Sequence, residues 1–187
     1  MPKLHVIAVS TRPARAGFPL ATWFVERAKA HAAFEVELVD LQKMNLPLFD
    51  EPKHPRLKQY AHDHTKRWAA SVEAADAFVF VVPEYNYGCP PSLLNALDFV
   101  SQEWAYKAAG FVSYGGQSGG VRSVQMAKMV MTSLKIVPIP EAVAVPFFTK
   151  HIDDKGVFDG GDTQDAAAKT MLDELAKWTG GLKGLRG

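Results

Sequence analysis

Residues 78–82 read Phe-Val-Phe-Val-Val, and Pro83 follows at once. Five apolar residues rich in Val and Phe describe a strand buried on both faces. Proline has no N–H for a sheet ladder, so the strand is expected to stop at Pro83. Glu84-Tyr85-Asn86-Tyr87-Gly88-Cys89-Pro90-Pro91 then forms a loop stiffened by prolines. Ser92 offers an N-cap, and Leu93, Leu94, Leu97 and Val100 keep helical spacing behind it. Open α/β sheets hold ligands where a buried strand empties into such a loop at its carboxyl end.

The rest of the chain supplies partners for that strand. Residues 4–9 read as a short apolar strand, and 10–19 as the loop after it. Pro19 suits a first helical position, with Leu20, Trp23, Phe24 and Ala28 on the buried face of a helix to about His31. Residues 34–41 alternate apolar with acidic side chains, as in a half-polar strand near the sheet edge. Residues 42–56 carry Pro47, Pro52 and Pro55 and are expected to be irregular. Leu57, Tyr60, Ala61, His64, Trp68, Val72 and Ala75 predict five helical turns, with His64 a core or subunit-interface residue rather than a catalytic one. Residues 107–114 form the next strand, and Val121, Val124, Lys128, Met131 and Leu134 line the next helix. Residues 135–145 are broken by Pro138 and Pro140, which predicts a last strand followed by an extended edge segment. A final helix over 165–179 turns Met171, Leu172, Leu175 and Trp178 inward. Residues 1–179 are thus read as one domain, and 180–187, with four glycines, as a flexible tail.

Five alternations of strand and helix describe a parallel sheet with helices on both faces. Right-handed crossovers leave the flavodoxin-like strand order 2-1-3-4-5 and the Rossmann-like order as candidates, and five strands favour the first. The expected fold is therefore a three-layer α/β/α sandwich. In that order the loops after strands 1, 3 and 4 share one edge, and nothing comparable is expected after strands 2 and 5.

The first loop has an anion-binding build. Ser10 and Thr11 offer hydroxyls, Arg12 and Arg15 offer charge, and Gly17-Phe18-Pro19 opens a helix whose N-terminal N–H groups attract phosphate. Neither G-x-x-x-x-G-K-[ST] nor G-x-G-x-x-G occurs there, which disfavours a P-loop hydrolase and a Rossmann dinucleotide site. The second loop pairs the aromatic faces of Tyr85 and Tyr87 with the amide of Asn86. The third, Gly115-Gly116-Gln117-Ser118-Gly119-Gly120, allows a ligand close to the backbone. A phosphate clamp at one end and a cradle for a planar ring at the other is the shape of a flavin mononucleotide site.

These residues also resemble a known family. Ser10-Thr11-Arg12-Pro13, Pro83-Glu84-Tyr85-Asn86-Tyr87-Gly88, Asn95-Ala96-Leu97-Asp98 and Ser113-Tyr114-Gly115-Gly116-x-Ser118-Gly119-Gly120-x-Arg122 are similar to the NADPH-dependent FMN reductases of the flavodoxin-like fold. The likeness runs from about Leu4 to Phe148, and Pro-Glu-Tyr-Asn is its most specific piece. It implies that Ser10, Arg12 and the Gly17 region hold the FMN phosphate. It implies also that Pro83 to Tyr87 and Ser113 to Gly116 wrap the isoalloxazine ring, in homodimers or tetramers that share the cleft. The chain departs from the pattern at Gly17-Phe18-Pro19, where many members carry Ser or Asn, and at Leu94, where many carry Lys.

The expected function is hydride transfer from NAD(P)H to flavin N5, followed by reduction of a small-molecule acceptor, with no side-chain catalyst and no metal. Arg15 and Arg122 are the candidates to meet a 2′-phosphate. A flavodoxin-type electron carrier is the rival, but such carriers are strongly acidic and this chain carries a net charge of +1. That charge also gives no reason to expect nucleic acid or an anionic membrane as partner. A hydrolase would need Glu84 or Asp98, which lack metal-ligand partners. The single cysteine, Cys89, excludes an internal disulfide and reads as a buried spectator. No signal sequence or membrane-spanning run is apparent, which predicts a cytoplasmic protein. Trp68, Val72, Trp104 and Tyr106 are expected to stay uncovered in a monomer and to mark the subunit interface.

Overall fold

A computed structural model describes residues 1–186. Five strands form one parallel sheet: β1 (Lys3–Ala8), β2 (Glu35–Asp40), β3 (Ala77–Pro83), β4 (Ala108–Tyr114) and β5 (Val137–Val145), in the order β2-β1-β3-β4-β5. This is the flavodoxin-like order. The central position falls to β3, all seven of whose residues are buried. Its apolar run therefore reflects helices on both faces, whereas the outer residues of β2 alternate with solvent.

Helices α1 (Phe18–His31) and α6 (Gly161–Leu182) cover one face, with Phe24, Leu20, Met171 and Leu175 packed on Val6, Val79 and Val112. The other face carries α2 (Leu41–Met44), α3 (Asp63–Ala74), α4 (Pro91–Asp98) and α5 (Val121–Ser133). Its core is aromatic. Trp104 packs on Phe78 at 4.9 Å and on Trp68 at 5.7 Å between centroids. Each indole N–H finds a carbonyl, Trp68 on Ala96 and Trp104 on Leu97. Trp68, Val72 and Trp104 are thus fully interior, and they do not form the exposed interface expected of them.

Several boundaries differ from the sequence expectation, each for a tertiary reason. α3 begins at Asp63, not Leu57, because Glu51 accepts hydrogen bonds from the N–H groups of Ala61 and His62 and fixes an extended approach. Leu57 is exposed in a short 3-10 turn. His64 sits at the edge of the core, its ring edge-on to Phe99 and its Nε2 3.0 Å from Asp50 Oδ1. Proline caps α4, and Ser92 instead donates its hydroxyl to the Val9 carbonyl, stitching α4 to β1. Pro138 and Pro140 stay within β5, an edge strand with a register shift between Ala109 and Phe111 of its neighbour. Residues 180–182 continue α6 and 183–185 form a 3-10 turn rather than a flexible tail. Buried Thr179 and Leu182 hold that end, and Arg186 donates to Asp76 Oδ1 at 2.9 Å. Trp178 is on the outer side of α6; residue 187 lies outside the described residues.

Candidate functional site

The carboxyl ends of β1, β3 and β4 open into one cleft of about 310 Å3, at the small end of the range for small-molecule sites. Ser10, Arg12, Arg15, Ala16 and Gly17 form one wall, Pro83, Glu84 and Tyr85 the floor, and Tyr114, Gly115 and Gly116 the other wall. A fourth segment closes it: Phe147, Phe148 and Thr149, after β5. The N–H groups of Phe147 and Phe148 donate to the carbonyls of Gly116 and Gly115 at 3.0 and 3.4 Å. Nothing was expected after strand 5, although two aromatics directly beyond a strand end were a readable signal.

The two arginines of the first loop have different settings. Arg15 is paired with buried Asp40 at the end of β2, and its guanidinium lies 4.2 Å from the Phe18 ring centroid. Arg12 is exposed and has no carboxylate partner among the described residues. Phe18 spends its N–H on the Arg15 carbonyl, and Phe18 and Pro19 border a groove beside Trp23 and Phe158 and are not among the residues lining the cleft, although Phe18 supports Arg15 from below. The donors that α1 presents to the cleft therefore come from the Ala16–Gly17 side of the turn. Ser10 Oγ and Tyr85 Oη stand 3.1 Å apart, so Tyr85 links the second loop to the first.

The second loop is a tight hairpin. Tyr85 and Gly88 exchange backbone hydrogen bonds, and Asn86 and Tyr87 both have positive φ, 49° and 70°, as a type I′ turn requires. Asn86 and Tyr87 consequently point outward and do not line the cleft. Arg122 lies over the Tyr87 ring, 3.9 Å from its centroid, and donates from Nε to Glu84 Oε1 at 2.7 Å. Ser118 donates to the other Glu84 oxygen at 2.9 Å. Burial pushes the Glu84 carboxyl up, but these hydrogen bonds outweigh it and hold it below its ordinary value. Glu84 is thus a fixed anion that ties the second loop to the third. Arg15 and Arg122, the candidates for a 2′-phosphate, are both already matched to carboxylates.

In the third loop Gly116 is the open position: a Cβ there would meet no protein atom within 4 Å. Ser113 is buried and donates to the Gly119 carbonyl at 2.8 Å, while Gly119, with φ 61°, packs against Pro146. Ser113, Ser118 and Gly119 therefore shape the loop without facing the cleft. Cys89 is buried beneath it, its thiol donating to the Ser123 carbonyl at 2.9 Å, and burial raises its pKa. A larger recess of about 660 Å3 lies at the amino end of the sheet among Arg56, Asp76, Tyr106, Lys107 and Arg186. It is remote from the strand ends where such sheets bind ligands, and its acids are engaged, Asp76 with Arg186 and Glu103 with Tyr60.

The family model described as NADPH-dependent FMN reductase matches residues 2–150. The chain belongs to that family. An NAD(P)H-dependent FMN reductase of Schizosaccharomyces pombe is 38% identical over 148 residues, covering 78% of this chain and 74% of its own. An NAD(P)H:quinone oxidoreductase of Solanum tuberosum is 51% identical over 107 residues, 54% of this chain and 55% of its own. Among solved structures, a flavoenzyme NAD(P)H:(acceptor) oxidoreductase from Paracoccus denitrificans superposes with a TM-score of 0.76. It is 19% identical and covers 97% of this chain and 98% of its own, a likeness of fold. The donors of the cleft suit FMN, the family's cofactor. One exposed guanidinium, a serine hydroxyl and turn amides at one end suit a phosphate. The aromatic Tyr85 and the bare Gly116 backbone at the other end suit a flat ring.

Proposed function

We propose that the protein is an FMN-dependent oxidoreductase that takes hydride from NAD(P)H and then reduces a small-molecule acceptor in the same cleft. The observation that carries this reading is the meeting of Arg12 and Ser10 with Tyr85 and the Gly115–Gly116 backbone around one recess. When bound, FMN would supply the redox chemistry, a hydride acceptor for NAD(P)H and an electron donor for the second substrate. The chain's own part is placement. Ser10, Arg12 and the amides of 16–17 would hold the phosphate, and Pro83–Tyr85 with Gly115–Gly116 would hold the ring. Glu84, paired with Arg122 and Ser118, fixes the loops and is not free to act as a base.

The acceptor is of the class of flavins, quinones, azo or nitro compounds or metal oxyanions, because a cleft of backbone donors and aromatic edges excludes no particular one of them. The exposed Phe147 and Lys150 of the fourth segment, with the ammonium 5.2 Å from the ring centroid, border the entrance. A homodimer or homotetramer is proposed as well, now on different residues: Leu48, beside Thr11 and the first turn of α4, is 83% exposed, and Tyr87 is 72% exposed. Among the described residues no helix is long and apolar enough to cross a membrane; a cytoplasmic setting is part of the proposal. The deciding experiment is to denature the purified protein and chromatograph what it releases. FMN, from a yellow protein that NADPH bleaches without oxygen, is expected. Stoichiometric FAD, or no flavin and no flavin uptake, would overturn the reading.

A further inference from the structure

Gly17 has an ordinary right-handed backbone, φ −83° and ψ −7°, so its conformation makes no demand for glycine. The demand comes from across the sheet. A Cβ built on Gly17 would lie 1.9 Å from Tyr114 Oη and 2.1 Å from its Cζ. The tip of Tyr114 occupies the volume that any side chain at position 17 would fill. Tyr114 ends β4, opposite Pro83 of β3, and its side chain reaches back past Val81 to Ser10, Arg15 and Gly17. Phe148 packs edge-on against the ring at 4.9 Å and keeps it there. The residue is only 4% exposed, yet it borders the cleft.

The chemistry of that hydroxyl is equally definite. Burial, with a smaller push from Tyr85, raises the Tyr114 pKa against the opposing influences of Ser10 and Arg12. The group stays protonated at any working pH and can donate. It stands with Ser10, Arg12 and the Gly17 turn, at the end of the cleft opposite the bare Gly116 backbone.

We propose that Tyr114 is a phosphate-binding residue whose hydroxyl stands in for a side chain at position 17, so that β4 holds the flavin ring with its loop backbone and the phosphate with its tyrosine tip. This rests on the FMN reading above and assigns within it a role that ring-wrapping alone does not predict. The O–H donates to a phosphate oxygen, a charge-assisted hydrogen bond.

The test is a titration of flavin-free protein with FMN and with riboflavin, which has no phosphate, followed by flavin fluorescence. Tyr114→Phe keeps the ring against Phe148 and Gly17 and removes only the hydroxyl. FMN affinity should fall roughly ten- to a hundredfold while riboflavin affinity holds, and the 31P resonance of bound FMN should move. Gly17→Ser combined with Tyr114→Thr moves a hydroxyl back to the loop, and it should regain preference for FMN over riboflavin relative to Tyr114→Thr alone. Unchanged FMN affinity in Tyr114→Phe, an equal loss for both flavins, or a double variant no more selective than Tyr114→Thr would each overturn the proposal. Wild-type protein that binds neither flavin would instead overturn the FMN reading beneath it.

Discussion

Arg12 and Arg15 belong to one loop, and only the family resemblance favours Arg12 as the phosphate ligand; their residue type and position do not rank them. The fold separates them through Asp40, a buried residue at the end of β2 that Arg15 alone reaches. Arg12→Ala should therefore weaken FMN binding roughly ten- to a hundredfold and leave riboflavin binding and melting temperature unchanged. Arg15→Ala strips a buried carboxylate of its partner and should destabilise the protein by roughly 1–3 kcal/mol, seen as a shift of the urea midpoint. If Arg12→Ala lowered the affinity of both flavins equally, Arg12 would be supporting the fold instead. Cys89 is the opposite case, a residue whose sequence position beside the Tyr85 loop invites a role that its surroundings deny. Its thiol is buried, raised in pKa and bonded to the Ser123 carbonyl. Cys89→Ser should keep NADPH oxidation within a few-fold of wild type, as a steady-state rate with FMN bound would show.

Among elements, strand identity was legible, and so was the end of α1 at His31, but the limits of α3 and α6 were not, and one lysine shows why. The strands announce themselves because burial on both faces leaves continuous apolar runs, as in residues 78–82. Helix limits depend on partners far away in sequence. Glu51 delays the start of α3, and Lys107 finishes it by donating from Nζ to the carbonyls of Val72 and Glu73 at 2.7 and 3.0 Å. The fourth cleft segment carried a readable signal in its two aromatics, but its place beside the third loop follows from hydrogen bonds to Gly115 and Gly116. The outward turn of Asn86 and Tyr87 likewise follows from hairpin geometry, which composition does not reveal. Lys107 also makes stability depend on pH. Burial brings its pKa down to about 8 from 10.5, so between those values the unfolded chain binds more protons than the folded one. Stability should then rise as pH increases from 8 toward 10.5. The melting-temperature difference between wild type and Lys107→Met should widen in favour of wild type over that interval; a constant difference would mean that Lys107 is not desolvated.

At the scale of the whole molecule, the 2-1-3-4-5 order brings the proposed ring and phosphate ligands to one edge of the sheet and leaves one cleft between them. Three sides of the ring site are backbone or fixed side chains: Pro83–Tyr85 below, Gly115–Gly116 beside, and the backbone of 147–148, tied to the same glycines, with the Phe148 ring. A flavin filling that recess would present one free face, and nicotinamide and acceptor both need it. They must then take turns. The expected outcome is ping-pong kinetics, with parallel double-reciprocal lines when NADPH is varied at several fixed quinone concentrations. Substrate inhibition should be competitive, the quinone against NADPH, because each occupies the other's place. Phe147→Gly tests the rim separately, since glycine accepts the positive φ of 48° at that position and only the ring is lost. The acceptor KM should rise several-fold while FMN affinity holds, because the backbone bond from residue 147 to Gly116 survives the change. Lines that intersect would require NADPH and acceptor to be bound together, and with that a second binding surface, for which the exposed Leu48 and Tyr87 side of a partner subunit would be the place to look.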